Sequence, residues 1–260
     1  MFTNSSCLVL IAHPGHELRI HHFLELSRPV VHVLTDGSGS QNHSRLSSTL
    51  AVLESTGARV GGIFGRYTDR EIYDLILTGN FGTFVRLAEE LAESMRQNKT
   101  DLIIGDSAEG YNSSHDVCRL IVGAAVDISA RKYGLQVANY DFPLVGSPDR
   151  LAGYSPDEII IALDDAAFER KFSAALNYRD LAEEVNRALK MVGRAPFMRE
   201  VLHPVKNTDG RSWSEPEPPY YETYGEKQMA AGIYHEVIRF KEHIEPLVRH
   251  FEAYCVSLSS

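Results

Sequence analysis

The sequence predicts an α/β protein with a Rossmann-like, doubly wound, mostly parallel sheet, helices on both faces, and a helical C-terminal extension. Short, wholly apolar runs recur, as expected for strands buried on both faces. Between them lie segments whose apolar residues repeat at three and four, the helical spacing. The alternation continues to about residue 140, and right-handed crossovers wind such a chain into a doubly wound layer.

The elements follow in order. Cys7–Ala12 is a continuous apolar strand. Gly15–Leu26 has helical spacing through Leu18, Phe23 and Leu26. Val30–Leu34 is a second strand, closed by the turn-rich stretch Thr35–Ser40 (TDGSGS). Ser44–Ser55 is helical, with Leu46, Leu50 and Leu53 on one stripe. Val60–Phe64 is a short third strand. Phe81–Gln97 is an amphipathic helix carrying Phe84, Leu87, Leu91 and Met95. Asp101–Gly105 is a fourth strand, Asp106–Ser114 a polar loop, His115–Tyr133 a helix, and Leu135–Asn139 a fifth strand. Beyond it, Glu158–Leu163 is expected as a strand, and Ala166–Leu189 and Lys227–Tyr254 as helices. Pro196–Tyr224, ending in EPEPPYYETY, is expected as a long loop, either a functional lid or a surface connection. The expected organisation is one domain over 1–260, with 1–140 as its core and 141–260 as a C-terminal elaboration.

Bulk properties exclude several classes. The chain has 260 residues, 43% hydrophobic and 23% charged, the make-up of a soluble globular enzyme. A formal charge of −9 argues against nucleic acid as partner, because a phosphate backbone needs a basic face. A small anionic substrate held by a few arginines is compatible with it. No apolar run approaches the ~20 residues of a membrane span, and the N-terminal run is too short for a signal peptide. Cys7, Cys118 and Cys255 have no regular spacing, so a disulfide framework is not expected and the expected compartment is the cytoplasm. Homo-oligomer formation is left open.

In open parallel sheets, ligands bind beyond the carboxyl ends of the strands, where strand order reverses. The loops after strands one and four meet there. The first carries His13, His16 and Glu17; the second carries Asp106, Glu109, Asn112, Ser114, His115 and Asp116. Two distant segments thus bring three histidines to one place. Imidazoles suit zinc and other borderline divalent metals, and three protein ligands with an open fourth position is the catalytic arrangement. The alternative is ordinary: histidines hydrogen-bonded at a surface. A nicotinamide dehydrogenase is disfavoured, because no G-x-G-x-x-G follows the first strand.

The stretch AHPGHE after an apolar strand resembles the AHPDDE signature of the LmbE/PIG-L family of zinc-dependent de-N-acetylases. EGYNSSHD, Glu109 to Asp116, stands in the place of that family's H-P-D-H motif. LTDGSGS with Arg45 downstream resembles its T-x-G-x-x-G loop and following arginine. The resemblance covers roughly residues 7–140. It implies that His13, His16 and His115 are metal ligands, with His16 standing where the family has an aspartate. Gly15 stands at the family's aspartate general base, Asn112 at its assisting histidine, and Ser114 at the aspartate of H-P-D-H. A site of three imidazoles would keep about +2 charge on the ion, against about +1 with one carboxylate, and so draw the pKa of bound water toward ~7.

The expected activity is a divalent-metal (zinc) hydrolase removing an acetyl group from an amino sugar or glycoconjugate. The alternatives are a different metal-dependent hydratase or lyase, or a non-catalytic sugar-binding module. A base must come from elsewhere: Glu109 and Asp36 lead, then Glu17, whose other role is to favour the helix dipole. Asp116 is a candidate to hold a ligand histidine. Asn112 is able to donate to an oxyanion but not to shuttle a proton. His43 is an available acid or a plain loop residue. Arg45 is the expected substrate contact, a guanidinium suited to phosphate or carboxylate. Arg66 and Arg70 either add to it or form ordinary salt bridges. Trp213, Tyr220 and Tyr221 either stack on a sugar or pack in a lid.

Overall fold

The computed structural model describes residues 5–39, 43–145, 156–205 and 218–258. Its seven-stranded sheet has the order β3-β2-β1-β4-β5-β7-β6. The parallel part comprises β1 (Cys7–Ile11), β2 (Val30–Thr35), β3 (Arg59–Tyr67), β4 (Leu102–Asp106) and β5 (Ala138–Phe142). β6 (Ile159–Ala162) and β7 (Arg199–Pro204) close one edge as antiparallel strands. β1 is central: Leu8 pairs with Val30 on one side and Ile103 on the other. The strand order reverses between β1 and β4, so the loops following them share the crevice.

Alternation along β1 sends its side chains into two cores. Leu8 and Leu10 face α4 (Phe81–Asn98) and α5 (Ser113–Tyr133), packing with Phe84, Leu91 and Ile121. Val9 and Ile11 face α1 (His21–Ser27) and α2 (Leu46–Thr56), packing with Phe23, Leu53 and Tyr178. Tyr178 belongs to the C-terminal part, directly after α6 (Asp165–Asn177). That part continues through α7 (Ala182–Val192), α8 (Tyr220–Ala230) and α9 (Glu245–Ser257). Among the described residues, no helix is long and apolar enough to cross a membrane.

Several elements depart from the sequence expectation. Gly15–Leu26 is a tight 3-10 turn, His16–Ile20, followed by α1. An additional helix, α3 (Asp69–Leu77), follows β3; Thr68 and Glu71 form a reciprocal capping box at its start. The expected fifth strand is displaced to Ala138–Phe142. The expected helix Ala166–Leu189 breaks after Asn177 into α6 and α7. The expected loop Pro196–Tyr224 contains β7 and the first turn of α8. The expected helix Lys227–Tyr254 is interrupted where Gly232 takes φ 73°, and resumes in a π-helical turn, Phe240–Ile244, leading into α9.

His32, on β2, is buried; its Nδ1 accepts the Ile63 amide at 3.1 Å and its Nε2 lies 3.1 Å from Ser94 Oγ. A Cβ on Gly61 would lie 2.6 Å from the ring, so glycine leaves room for it. Burial lowers the His32 pKa to about 4, with Glu90 opposing and Arg66 adding to the shift. A histidine depressed in the fold stabilises fully above its unfolded pKa near 6.5. That stability is lost as pH falls from about 6.5 toward 4, by about 3 kcal/mol in all. Urea unfolding of wild type and His32→Gln at pH 7.5 and pH 4.5 checks this: the wild type should lose markedly more stability on acidification than the variant.

Candidate functional site

The three histidines meet. His13 follows β1, His16 opens the 3-10 turn, and His115 lies in the first turn of α5. Their ring centroids are 5.3 Å (His13–His16), 5.0 Å (His13–His115) and 4.7 Å (His16–His115) apart, all edge-to-face. Asn112 caps α5 and so fixes where His115 emerges: its Oδ1 accepts the Ser114 amide at 2.9 Å. Tyr73 on α3 donates to the same oxygen at 3.4 Å. These two donors orient the carboxamide and leave its nitrogen as the donor end.

Two of the imidazoles are backed by buried carboxylates. His16 Nδ1 lies 2.9 Å from Asp106 Oδ2, which also accepts the Ala12 amide at 2.8 Å. His13 Nδ1 lies 2.8 Å from Thr35 Oγ1, its hydrogen-bond partner, and 2.8 Å from Asp69 Oδ1. Such partners set the tautomer, placing the proton on Nδ1 and the lone pair on Nε2. Asp69 is held well below the usual carboxylate range: burial works against this, and His13, Thr35 and the Gly39 amide outweigh it. His16 is shifted downward by burial, against Asp106; His115 is pushed further down by burial and by the other two rings.

His13 Nε2 and His115 Nδ1 are buried and accept no hydrogen bond. Buried polar atoms of this kind are accounted for by strain, a catalytic role, a water or an ion. Three imidazoles sharing a tetrahedral zinc would have ring centroids about 5 Å apart, which is the spacing here. Among the described residues, no group of three or more His, Cys, Asp or Glu side chains is arranged so that it could hold a metal ion as it stands. The residue types, the carboxylate backing and the orphaned nitrogens are those a divalent ion takes, and a small rearrangement of the rings would be needed to gather the donors around one point.

The expected base has no place at position 15. Gly15 has φ 106°, and a Cβ built there would lie 2.6 Å from Leu181 Cδ1 and 3.6 Å from the Tyr178 ring. The Tyr178 hydroxyl is fixed by Thr49 Oγ1 at 3.1 Å and the Arg45 carbonyl at 3.3 Å. The tip of Leu181 from the segment between α6 and α7 reaches into the space beside Gly15, and the positive φ is what most disfavours a side chain there. Gly15→Ala is expected to cost about 1–3 kcal/mol through backbone strain and overpacking; equilibrium urea unfolding against wild type checks it.

The other candidates are accounted for residue by residue. Glu17 is buried, and its Oε2 accepts the Gly15 amide at 2.7 Å, bracing the corner. Burial pushes its pKa up to about 7, against Thr49, the local amides and Arg45. Glu109 is raised by burial, and its Oε2 accepts the Leu144 and Val145 amides at 2.8 and 3.0 Å, tying down the chain after β5. Asp36 Oδ1 accepts the Ser38 amide at 2.9 Å, a turn contact. Asp116, in the first turn of α5, accepts the Gly110 amide on Oδ1 at 3.2 Å, tying the β4–α5 loop to the helix start.

Arg45 Nε donates to the Gly37 carbonyl at 2.7 Å, and its charge acts on both His16 and Glu17, which places it beside the cluster. Arg66 is paired with Glu90 at 2.7 Å, and its side chain is 44% exposed on edge strand β3. It makes the ordinary salt bridge that was one of its two expected roles. Arg70 and His43 are exposed. The Tyr221 amide donates to the Gly110 carbonyl at 3.2 Å, bolting α8 to the β4–α5 loop, and Tyr220 stacks on Tyr111 at 5.0 Å. Trp213 lies outside the described residues. Asp69 and Tyr178 were missed. The signal for Asp69 was the capping sequence T-D-R-E at Thr68–Glu71, which starts a helix with an acid at its first position. Tyr178 gave no local signal.

No family model matches the chain, and no curated protein matches it. Solved structures do. One is the A40926 pseudoaglycone deacetylase Dbv21, at 16% identity and TM-score 0.51, covering 77% of this chain and 96% of that one. Another is a triple mutant of a deacetylase of the teicoplanin biosynthetic pathway, at 12% identity and TM-score 0.52, covering 77% and 97%. The chain has the fold of these deacetylases.

Proposed function

We propose that the protein is a divalent-metal hydrolase, with zinc as the fitting ion, that removes an acetyl group from an amino sugar or glycoconjugate. The observation that carries this is the histidine cluster: buried His13 and His115 and half-buried His16, from two distant loops, two of them backed by carboxylates, with His13 Nε2 and His115 Nδ1 orphaned. The likeness in fold to the A40926 pseudoaglycone deacetylase and to a deacetylase of the teicoplanin biosynthetic pathway supports the reaction class.

His13, His16 and His115 would hold the ion. When bound, it would polarise the amide carbonyl and lower the pKa of water. The chain's own residues supply the rest. Asp106 and Asp69 keep two ligand lone pairs directed away from their own carboxyl groups. The Asn112 carboxamide offers a donor to a developing oxyanion. Arg45 offers its guanidinium to an anionic group on the substrate.

The glycine at position 15, held at φ 106° where a side chain is strained, favours a second reading, in which hydrolysis is lost and the site binds an acetylated sugar or performs another metal-dependent reaction. Acetate release from a panel of N-acetylated amino sugars, by wild type and by His115→Ala, separates the two. Release by wild type alone supports the hydrolase. Binding of the sugars with no release by either protein supports the second reading.

Arg45→Ala is expected to raise KM by about 10-fold or more for substrates bearing a carboxylate or phosphate, with less effect on neutral ones, as befits a lost charge-assisted contact. Steady-state kinetics on a matched charged and neutral pair reads this out.

A further inference from the structure

We propose that Asp69 is a positioning residue that couples the His13 ligand to the glycine loop after β2. This rests on the metal-site reading above. Asp69 is the first residue of α3 and is buried. Its two carboxylate oxygens face two groups. Oδ1 lies 2.8 Å from His13 Nδ1, an ion-pair contact without hydrogen-bond geometry, while Oδ2 accepts the Gly39 amide at 2.6 Å. Thr35 links the same two parts from the other side: its Oγ1 is 2.8 Å from His13 Nδ1 and accepts the Gly37 amide at 3.3 Å.

The loop 36–39 is itself braced by Arg45 through the Gly37 carbonyl. Asp69 therefore spans from a ligand imidazole to the backbone on which the candidate substrate arginine rests. A group at Arg45 that shifts this loop would act on His13 through one side chain. A carboxylate is suited to this because it presents two acceptor oxygens. A carboxamide presents one and carries no charge, so asparagine at this position loses the carboxylate contact with His13 even where it keeps the Gly39 amide.

The test uses the full chain and zinc alone, titrated in competition with a chromophoric chelator. Asp69→Asn is expected to lower zinc affinity about 10–100-fold, the size found for lost partners of ligand histidines. Asp69→Glu keeps both oxygens and is expected to recover part of that loss. Thr68→Ala weakens the same helix start without touching His13 and is expected to stay within about twofold of wild type. In the metal-free protein, NMR of Asp69→Asn should show a shifted His13 Nδ1 proton, a shifted Gly39 amide, or both. Wild-type zinc affinity in Asp69→Asn, or an equal loss in Thr68→Ala, would overturn the proposal. Should wild type bind no zinc, the metal reading fails by itself. The NMR comparison then decides the coupling, and unchanged His13 and Gly39 signals overturn it.

Discussion

Glu200→Ala is expected to cost about 3–5 kcal/mol, the largest loss of any substitution outside the histidine cluster. Glu200, on β7, is fully buried. Its Oε1 accepts from Lys171 Nζ at 2.7 Å and from the His22 amide at 2.9 Å; its Oε2 accepts the Phe23 amide at 2.8 Å. Lys171 also donates to the Arg19 carbonyl at 2.8 Å. One carboxylate thus caps the start of α1 and neutralises an ammonium from α6, joining the C-terminal part to the corner that carries His16. Truncation leaves a buried ammonium unpaired and two helix amides without an acceptor. Lys171→Met combined with Glu200→Met removes both charges, leaves only the amides exposed to loss, and should restore much of the stability. Urea unfolding reads all three proteins. A loss below about 1 kcal/mol in Glu200→Ala would contradict the role given to this pair.

The second large effect concerns the ligands. His16→Ala and His115→Ala are each expected to lower zinc affinity by more than about 100-fold, because losing a ligand should exceed the loss of a ligand's partner. The stability effect should depend on metal. In metal-free protein, His115→Ala removes an imidazole whose Nδ1 is buried without a partner, so part of the cavity cost is offset. With zinc in excess, wild type gains binding energy that the variant forgoes. Thermal unfolding with zinc and with chelator should therefore show a wider gap between wild type and His115→Ala when zinc is present. An equal gap in both conditions would mean that His115 serves only packing.

The parallel core was legible because each signal was local. The apolar runs Cys7–Ile11 and Leu102–Gly105 and the stripe Phe84–Leu87–Leu91–Met95 declare strand and helix within a few residues. The histidine cluster was legible through the rule that loops after adjacent strands meet at the switch point. What was not legible depends on long-range packing. The buried Glu200 on β7 reads as a surface charge until Lys171 is placed beside it. Gly15 reads as a missing base, and only the fold shows that it sits at φ 106° with Leu181 and Tyr178, more than 160 residues away, packed beside it. Glu109 and Asp36 are candidate bases by position, and the sequence does not show that backbone amides take up one oxygen of each. Asp69 lay in a helix whose capping signal went unused, although it turns out to stand beside His13.

The central claim is that His13, His16 and His115 form one metal site. Elemental analysis of the untagged protein, as purified and after zinc titration and desalting, tests it most directly. The account predicts about one zinc per wild-type chain and close to none in His16→Ala and His115→Ala. Wild-type protein that retains no divalent metal under either condition, while the variants behave identically, would contradict it.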